Sequence, residues 1–464
     1  MPGTMGTPVR LRRRLAIALV GALTAAGAGP LAAQSGAPAR EAGRIREAFL
    51  HAWEGYVRYA WGHDQLRPLT RGYRDWYPAS LEMTPLDGFD TMLLMGLRAQ
   101  ADSAKRLILD SLSFDRDFPV QVFEVTIREL GGLISAYQMD GDPRFLALAR
   151  DLGNRLLPAF KSPTGMPYRF VNLRTGAVTG PVSNPAEIGT LTLEFGALSK
   201  LTGDQRYYDA AKRAVMALFA RRSAIGLVGS AIDVETGAWK DRDSHVSGGI
   251  DSYYEYLLKA WLLFRDRDFE RMWDSSIAAV NRYLADDRNG LWYGHADMDT
   301  GARTAPEFGA LDAFFPAVLA KSGDTARAGR LMHSVYRMWT TFGIEPEVLD
   351  YLTMRPVAAG YQLRPEALES AYYLYRITGD ERYRAMGRVM VDSLLHETRW
   401  ETGFTALSSV VTKQRRDAME SFFLAETLKY AYLLFAPPAT LDFDAIIFNT
   451  EAHPIRPTWA ARVP

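Results

Sequence analysis

The chain contains no cysteine. Disulfides, thiolate nucleophiles and cysteine-ligated zinc or iron–sulfur sites are thereby excluded. Net charge is also absent, since 54 Lys+Arg balance 54 Asp+Glu. Nucleic-acid binding draws on a basic face that displaces counterions, and this composition gives no reason to expect one. Histidine is scarce, at 7 of 464 residues. His51, His63, His245, His295 and His453 are scattered, and each reads as a hydrogen-bonded structural residue. There is no Walker loop, no GxGxxG after a strand, no GxSxG elbow and no HExxH. Phosphate, dinucleotide, serine-hydrolase and zincin chemistries therefore lack their parts. Beyond the N-terminal segment, no apolar run is long and uncharged enough to span a membrane.

Aromatic residues, by contrast, are abundant: 22 Tyr, 22 Phe and 10 Trp. That is more than core filling requires and suits platforms for sugars. At the N-terminus, Arg10, Arg12, Arg13 and Arg14 precede an apolar run from Leu15 to about Ala28, followed by Pro30 and Leu31-Ala32-Ala33. This is the layout of a secretory signal peptide cut near Ala33, with an uncleaved membrane anchor as the alternative. The expectation is a signal peptide at 1–33 and one domain at 34–464, periplasmic or secreted.

Downstream, apolar residues recur at helical spacing, and a turn repeats: MDGDPRF, LTGDQRY, FRDRDFE, KSGDTAR and ITGDERY. Glycine accepts the left-handed conformation that ends a helix, and aspartate accepts hydrogen bonds from the free amides of the next one. The unit is a helical hairpin. Helices before these turns are apolar and aromatic, as in SYYEYLLKAWLLF, whereas those after them carry regular Arg and Lys. The first set is inner and the second outer. Two further inner-type segments, LDGFDTMLLMGL and MESFFLAETLKYAYLLF, lack the turn and bring the inner count to seven. An all-α, closed (α/α)7 barrel of seven inner and seven outer helices buries every apolar face; an open solenoid is the alternative.

These core-type helices carry carboxylates, which burial penalises by several kcal/mol unless they are paired. Asp87 and Asp90, Glu124 and Arg128, Asp251 and Glu255, and Glu366 and Glu369 are spaced to share helical faces. Glu194, Glu255, Glu369 and Glu426 stand at similar distances from the ends of their helices, hence at one level of the barrel. The set predicts an acid-lined pit, with Arg128 and Arg364 offsetting repulsion. Such a pit suits either paired-carboxylate hydrolysis or a hard cation bound through oxygen. The stretch from Phe160 to Tyr168 has loop composition and is expected at the mouth.

The blocks TPLDGFDTMLLMGL, VFEVTIRELGGLISAY, AEIGTLTLEFGALSKLTGD, DSYYEYLLKAW, LRPEALESAYYLYR, ESFFLAETLKYAYLLF and FNTEAHP resemble glycoside hydrolase family 47, the class I α-1,2-mannosidases. The resemblance runs from about Ala48 to Pro454. It implies a calcium-dependent, inverting exo-α-1,2-mannosidase that takes terminal mannose from oligosaccharides or N-glycans; a monomer is the separate expectation. By motif, Glu124 is similar to the general acid, Glu366 to the base, and Asp251 to a third essential carboxylate that shares the base question with Glu366. Thr450 resembles the threonine that binds Ca²⁺. Asp87, Arg128, Glu194, Glu255, Arg364, Glu369, Phe422, Glu426 and Glu451 are the substrate-binding residues so implied. Gly249, the absence of histidine from GALDAFFPAVL and the block SFFLAETLKY lean toward the degradation-enhancing branch. A mannose-binding, lectin-like protein without turnover, a different linkage preference, and an (α/α)6 epimerase using histidines are the competing readings.

Overall fold

The computed structural model describes residues 30–459. Residues from 38 onward form one compact unit. Most of the expected signal segment lies outside the described residues.

Helices alternate along the chain between two rings. They are outer α1 (Pro30–Tyr59), inner α2 (Phe89–Leu94), outer α3 (Arg98–Ser111), inner α4 (Gly131–Asp140), outer α5 (Pro143–Leu156), inner α6 (Thr192–Thr202) and outer α7 (Arg206–Phe219). There follow inner α8 (Asp251–Phe264), outer α9 (Arg267–Tyr283), inner α10 (Phe315–Lys321), outer α11 (Thr325–Phe342), inner α12 (Glu366–Thr378), outer α13 (Glu381–Thr398) and inner α14 (Leu428–Phe435). Each inner helix packs on the next, and the turn leading into α14 packs back on α2, so the ring is closed. The (α/α)7 barrel is thus the architecture. The last inner helix has no outer helix after it because α1 already fills that place: Arg44 pairs with Asp392 of α13, and Arg46 donates to the carbonyl of Met95 just after α2 (3.0 Å).

The repeated turns act as their composition requires. Gly141, Gly203 and Gly379 end α4, α6 and α12 with φ of 88°, 75° and 70°, and Arg265 takes the same left-handed conformation after α8. Asp142, Asp266, Asp324 and Asp380 cap the following outer helices through their side chains. Outer and inner helices meet closely. A Cβ on Gly387 of α13 would lie 2.1 Å from Leu434 Cδ2 of α14.

Strands are more numerous than sequence patterning indicates. Among the described residues, nine sheets of two or three strands occupy the outer-to-inner connections and the segment after α14. Individual strands are two to four residues long, as in Pro119–Gln121, too short for period-two alternation to register. Because the helical turns gather at one end of the barrel, these hairpins gather at the other, where the inner helices begin. No described helix is long and apolar enough to cross a membrane.

Candidate active site

A pit of about 380 Å³ opens at the hairpin end. Its wall is built from the first turns of inner helices and the residues just before them. Glu124 comes from the short helix Val122–Val125 that follows a strand, Asp251 and Glu255 from the start of α8, and Glu366 and Glu369 from the start of α12. Arg128, Arg364, Phe422, Glu426, Thr450 and Glu451 also line it. No histidine lines the pit. The mouth is bordered by Gln121, Arg169, Asn184 and Glu187; Arg169 lies just beyond the 160–168 stretch, none of whose residues reaches the lining.

Two π-helical turns, Thr126–Leu130 and Phe423–Thr427, interrupt the inner helices at this level. Such turns widen the helix locally and frequently mark functional sites. Here they carry Arg128 and Glu426. Arg128 is buried and pairs with Glu124 (3.0 Å), Asp87 (3.7 Å) and Glu451. Burial alone would favour loss of its proton, but these three carboxylates outweigh it and hold the guanidinium charged. Arg364 follows Leu363, which is held at φ 64°, and pairs with Glu347 (2.8 Å). Phe422 lies between the two guanidiniums, 5.8 Å from Arg128 and 5.6 Å from Arg364. The ring is held by cation–π contact on a wall rich in acids.

Burial dominates the acid–base character of the pit. It pushes Asp251 up to about 7, with Glu255 adding repulsion, and Glu366 up to about 7 against the pull of Arg364. Glu369 rises to about 8 by burial despite Lys259, and Glu451 to about 8 despite Arg128. Glu426 is raised further, by burial and then by Glu451. Glu366 Oε2 has no hydrogen-bond partner.

The floor is a tight turn after α14. Asn449 donates to Ile127 O (2.9 Å) and Glu194 Oε1 (2.8 Å) and accepts from the amides of Glu451 and His453 (3.0 and 2.7 Å). Ala452 is left-handed, at φ 57°. Thr450 is thereby presented upward, its amide donating to Tyr256 Oη (3.2 Å), which in turn donates to Glu194 (2.6 Å). The turn fits only because the facing helix carries Gly131, whose Cβ would stand 2.5 Å from Asn449 Nδ2. Below it, Asp90 meets Lys429 (2.7 Å) and His453 (2.7 Å). Burial opposes ionisation of Asp90, but the two cations hold it at about 2, and His453 rises to about 9.

Two residues of the expected substrate-binding set, Asp87 and Glu194, are not on the lining. Asp87 and Glu194 are fully buried and lie behind the lining. Asp87 faces Arg128 (3.7 Å) and His453 (3.5 Å), and Glu194 accepts from Tyr256 and Asn449. Residues the sequence reading passed over include Arg169 and Glu187, which pair at the mouth (2.9 Å), and Glu347, which anchors Arg364. Glu187 stands in the AEIG block, the one signal available for it. Outside the pit, Asp243, His245 and His295 bring ligand-type atoms within 4.8 Å of one another.

A closed helical barrel whose single acid-lined mouth carries paired carboxylates defines an (α/α)-barrel glycoside hydrolase. Residues 48–457 match glycosyl hydrolase family 47, and the chain belongs to that family. It is 38% identical over 452 residues to Alpha-mannosidase I MNS5 of Arabidopsis thaliana, covering 91% of this chain and 78% of the relative. It is 39% identical over 456 residues to the ER degradation-enhancing alpha-mannosidase-like protein 2 of Homo sapiens, covering 90% and 78%. The solved structure of an alpha-1,2-mannosidase from Trichoderma reesei superposes with a TM-score of 0.83 at 27% identity, covering 90% of this chain and 99% of that one. The cellobiose 2-epimerase from Spirochaeta thermophila, at 14% identity and a TM-score of 0.54, shares the barrel architecture alone.

Proposed function

We propose that the protein is a calcium-dependent, inverting exo-α-1,2-mannosidase that removes terminal mannose from oligosaccharides or N-glycans, acting as an exported monomer with its catalytic domain at 34–464. The observation that carries the reading is the shared pit of Glu124, Asp251 and Glu366. A binder needs no acid opposite a base, and the missing histidines speak against epimerase chemistry. Glu124 is the partly exposed acid, held by Arg128, and protonates the leaving oxygen. Glu366 or Asp251, buried deeper, takes the proton of the attacking water on the other side of the ring. Glu124 precedes the second inner helix and Glu366 opens the sixth, three steps apart around a ring of seven. That spread leaves room for a water between sugar and base. Phe422 offers the apolar face of the terminal sugar a platform, and Arg128 and Arg364 offer its hydroxyls donors.

The floor suits a hard cation. Buried oxygens of Glu194 and Glu366 lack partners, and burial leaves Glu194, Glu369, Glu426 and Glu451 poorly ionised without a positive charge nearby. An all-oxygen donor set of this kind is what Ca²⁺ prefers. Thr450 would hold the ion with these carboxylates behind it, and bound Ca²⁺ would supply charge and orientation to sugar hydroxyls. NMR of α-1,2-mannobiose digestion tests the proposal. β-Mannose appears first if water attacks once; α-mannose first, or no release of mannose, refutes it.

A further inference from the structure

The inference concerns the connection leading into α8. Asp243 lies on the strand Asp243–Ser244, His245 follows it, and His295 opens the neighbouring strand His295–Asp297. The two strands pair antiparallel. The imidazoles of His245 and His295 lie 4.5 Å apart between ring centres, and Asp243 Oδ2 is 2.6 Å from His295 Nδ1. We propose that Asp243, His245 and His295 form a second metal site, for a borderline divalent ion of the Zn²⁺ type and distinct from the oxygen-lined pit.

Donor chemistry separates the two sites. Two imidazoles and one carboxylate match zinc and its first-row neighbours, whereas Ca²⁺ takes oxygen ligands. Three protein ligands leave a coordination position for water, which the part-exposed side chains of His295 and Asp243 allow to enter. The surroundings already orient the ligands. Thr304 donates its hydroxyl to Asp243 Oδ1 (2.7 Å), leaving Oδ2 directed at His295. Coordination needs only modest adjustment from the present spacing, the Asp243–His295 contact opening from 2.6 Å and His245 moving in. The ion takes the place of the proton between Asp243 and His295, and His245 gives up or turns away from one bond, the amide of Ser247 donating to its Nδ1 at 3.1 Å.

This site would brace the active site without touching substrate. Ser247 accepts the amide of Asp251 (2.9 Å), and Gly248 and Gly249 line the pit. Gly249 is left-handed, at φ 91°. A metal pinning His245 to the neighbouring strand therefore fixes the short segment that positions Asp251.

The test uses the full chain in excess Ca²⁺, so that the oxygen-lined pit is already supplied, titrated with Zn²⁺ by calorimetry and with Co²⁺ by visible absorption. One equivalent of Zn²⁺ should bind without displacement by Ca²⁺, and Co²⁺ should show the intense d–d bands of low coordination number. Asp243→Ala and His295→Ala should weaken Zn²⁺ by more than the roughly 10–100-fold typical of losing an outer partner, and Thr304→Val by about 10-fold. Zn²⁺ binding that Ca²⁺ abolishes, or that is unchanged in the Asp243→Ala/His295→Ala double variant, overturns the proposal. Because the Co²⁺ spectrum is read on the unaltered chain, a six-coordinate spectrum or none overturns it even where a variant fails to fold.

Discussion

Arg364→Met is the substitution that most directly tests how the pit sets its base. Arg364 is the cation that lowers Glu366, while burial raises that carboxyl to about 7. Methionine keeps most of the volume and removes the charge. It also leaves Glu347, now paired at 2.8 Å, without its cation, so that its repulsion adds to the effect. An opposite charge at this range is typically worth about 1–3 pKa units to a carboxylate. Because Arg364 is shared with Glu347, the lower half of that range applies, an upward shift of about 1–2 units. The sign follows from the base's role. Glu366 must be deprotonated to accept a proton, so the acid-side limb of the kcat/KM profile should move to higher pH. Well below the limb the rate falls about 10–100-fold, since each unit is a factor of ten in ionised base. Well above it, only the contribution of Arg364 to Phe422 and sugar binding is lost. Hydrolysis of α-1,2-mannobiose across pH measures the limb, and Arg364→Lys, which restores the charge, should bring it most of the way back. A limb that stays in place in the methionine variant would refute both the assignment of Glu366 and the electrostatic reasoning.

Glu124→Gln keeps the shape of the acid and removes its proton, so kcat should fall about 10²–10⁴-fold while KM changes little; retention of a tenth of the activity would count against it. Stability of the chelated protein should fall as pH rises. Asp251, Glu194 and Glu366 at about 7, and Glu369 and Glu451 at about 8, all lie above their unfolded values. Their contribution is present below ordinary carboxylate pKa values and lost as pH climbs through the raised ones. Thermal melts with and without Ca²⁺ should therefore diverge toward pH 8, and parallel curves would remove the cation from the floor. Gly387→Ala should cost about 1–3 kcal/mol by overpacking against Leu434, read in denaturant midpoints.

Much of the barrel was legible because its signals are local. A Gly-Asp turn states its own conformation, and apolar against basic helices state which ring they occupy. The acids were legible for the same reason: Glu255, Glu369 and Glu426 contradict the helices that carry them. What the sequence concealed is what depends on chain returning from far away. The π-helical turns at Arg128 and Glu426 arise from packing and leave no periodic trace. Depth is equally non-local: Asp87 and Glu194 look like Glu369 in the sequence, and only the structure packs them against Arg128 and Asn449. Glu347 reaches Arg364 across 17 positions, and His295 reaches Asp243 across 52; no motif joins either pair.

The closure of the outer ring by α1 bears on how the molecule is made. During synthesis the first outer helix emerges long before α14, the inner helix after which it takes the outer place, and the Asn449–His453 floor follows later still. Between those moments the nascent chain holds hairpins that are individually local and quick to form but an open ring, with apolar helix faces and buried-type carboxylates exposed to water. The contacts that finish the barrel join opposite ends of a chain of over 400 residues and make folding slow at its last step, because distant loop closure must precede any gain from packing. The same step that closes the ring also forms the pit's floor. An incomplete chain is therefore an inactive one, and refolding yield should fall steeply with protein concentration unless the final closure is protected.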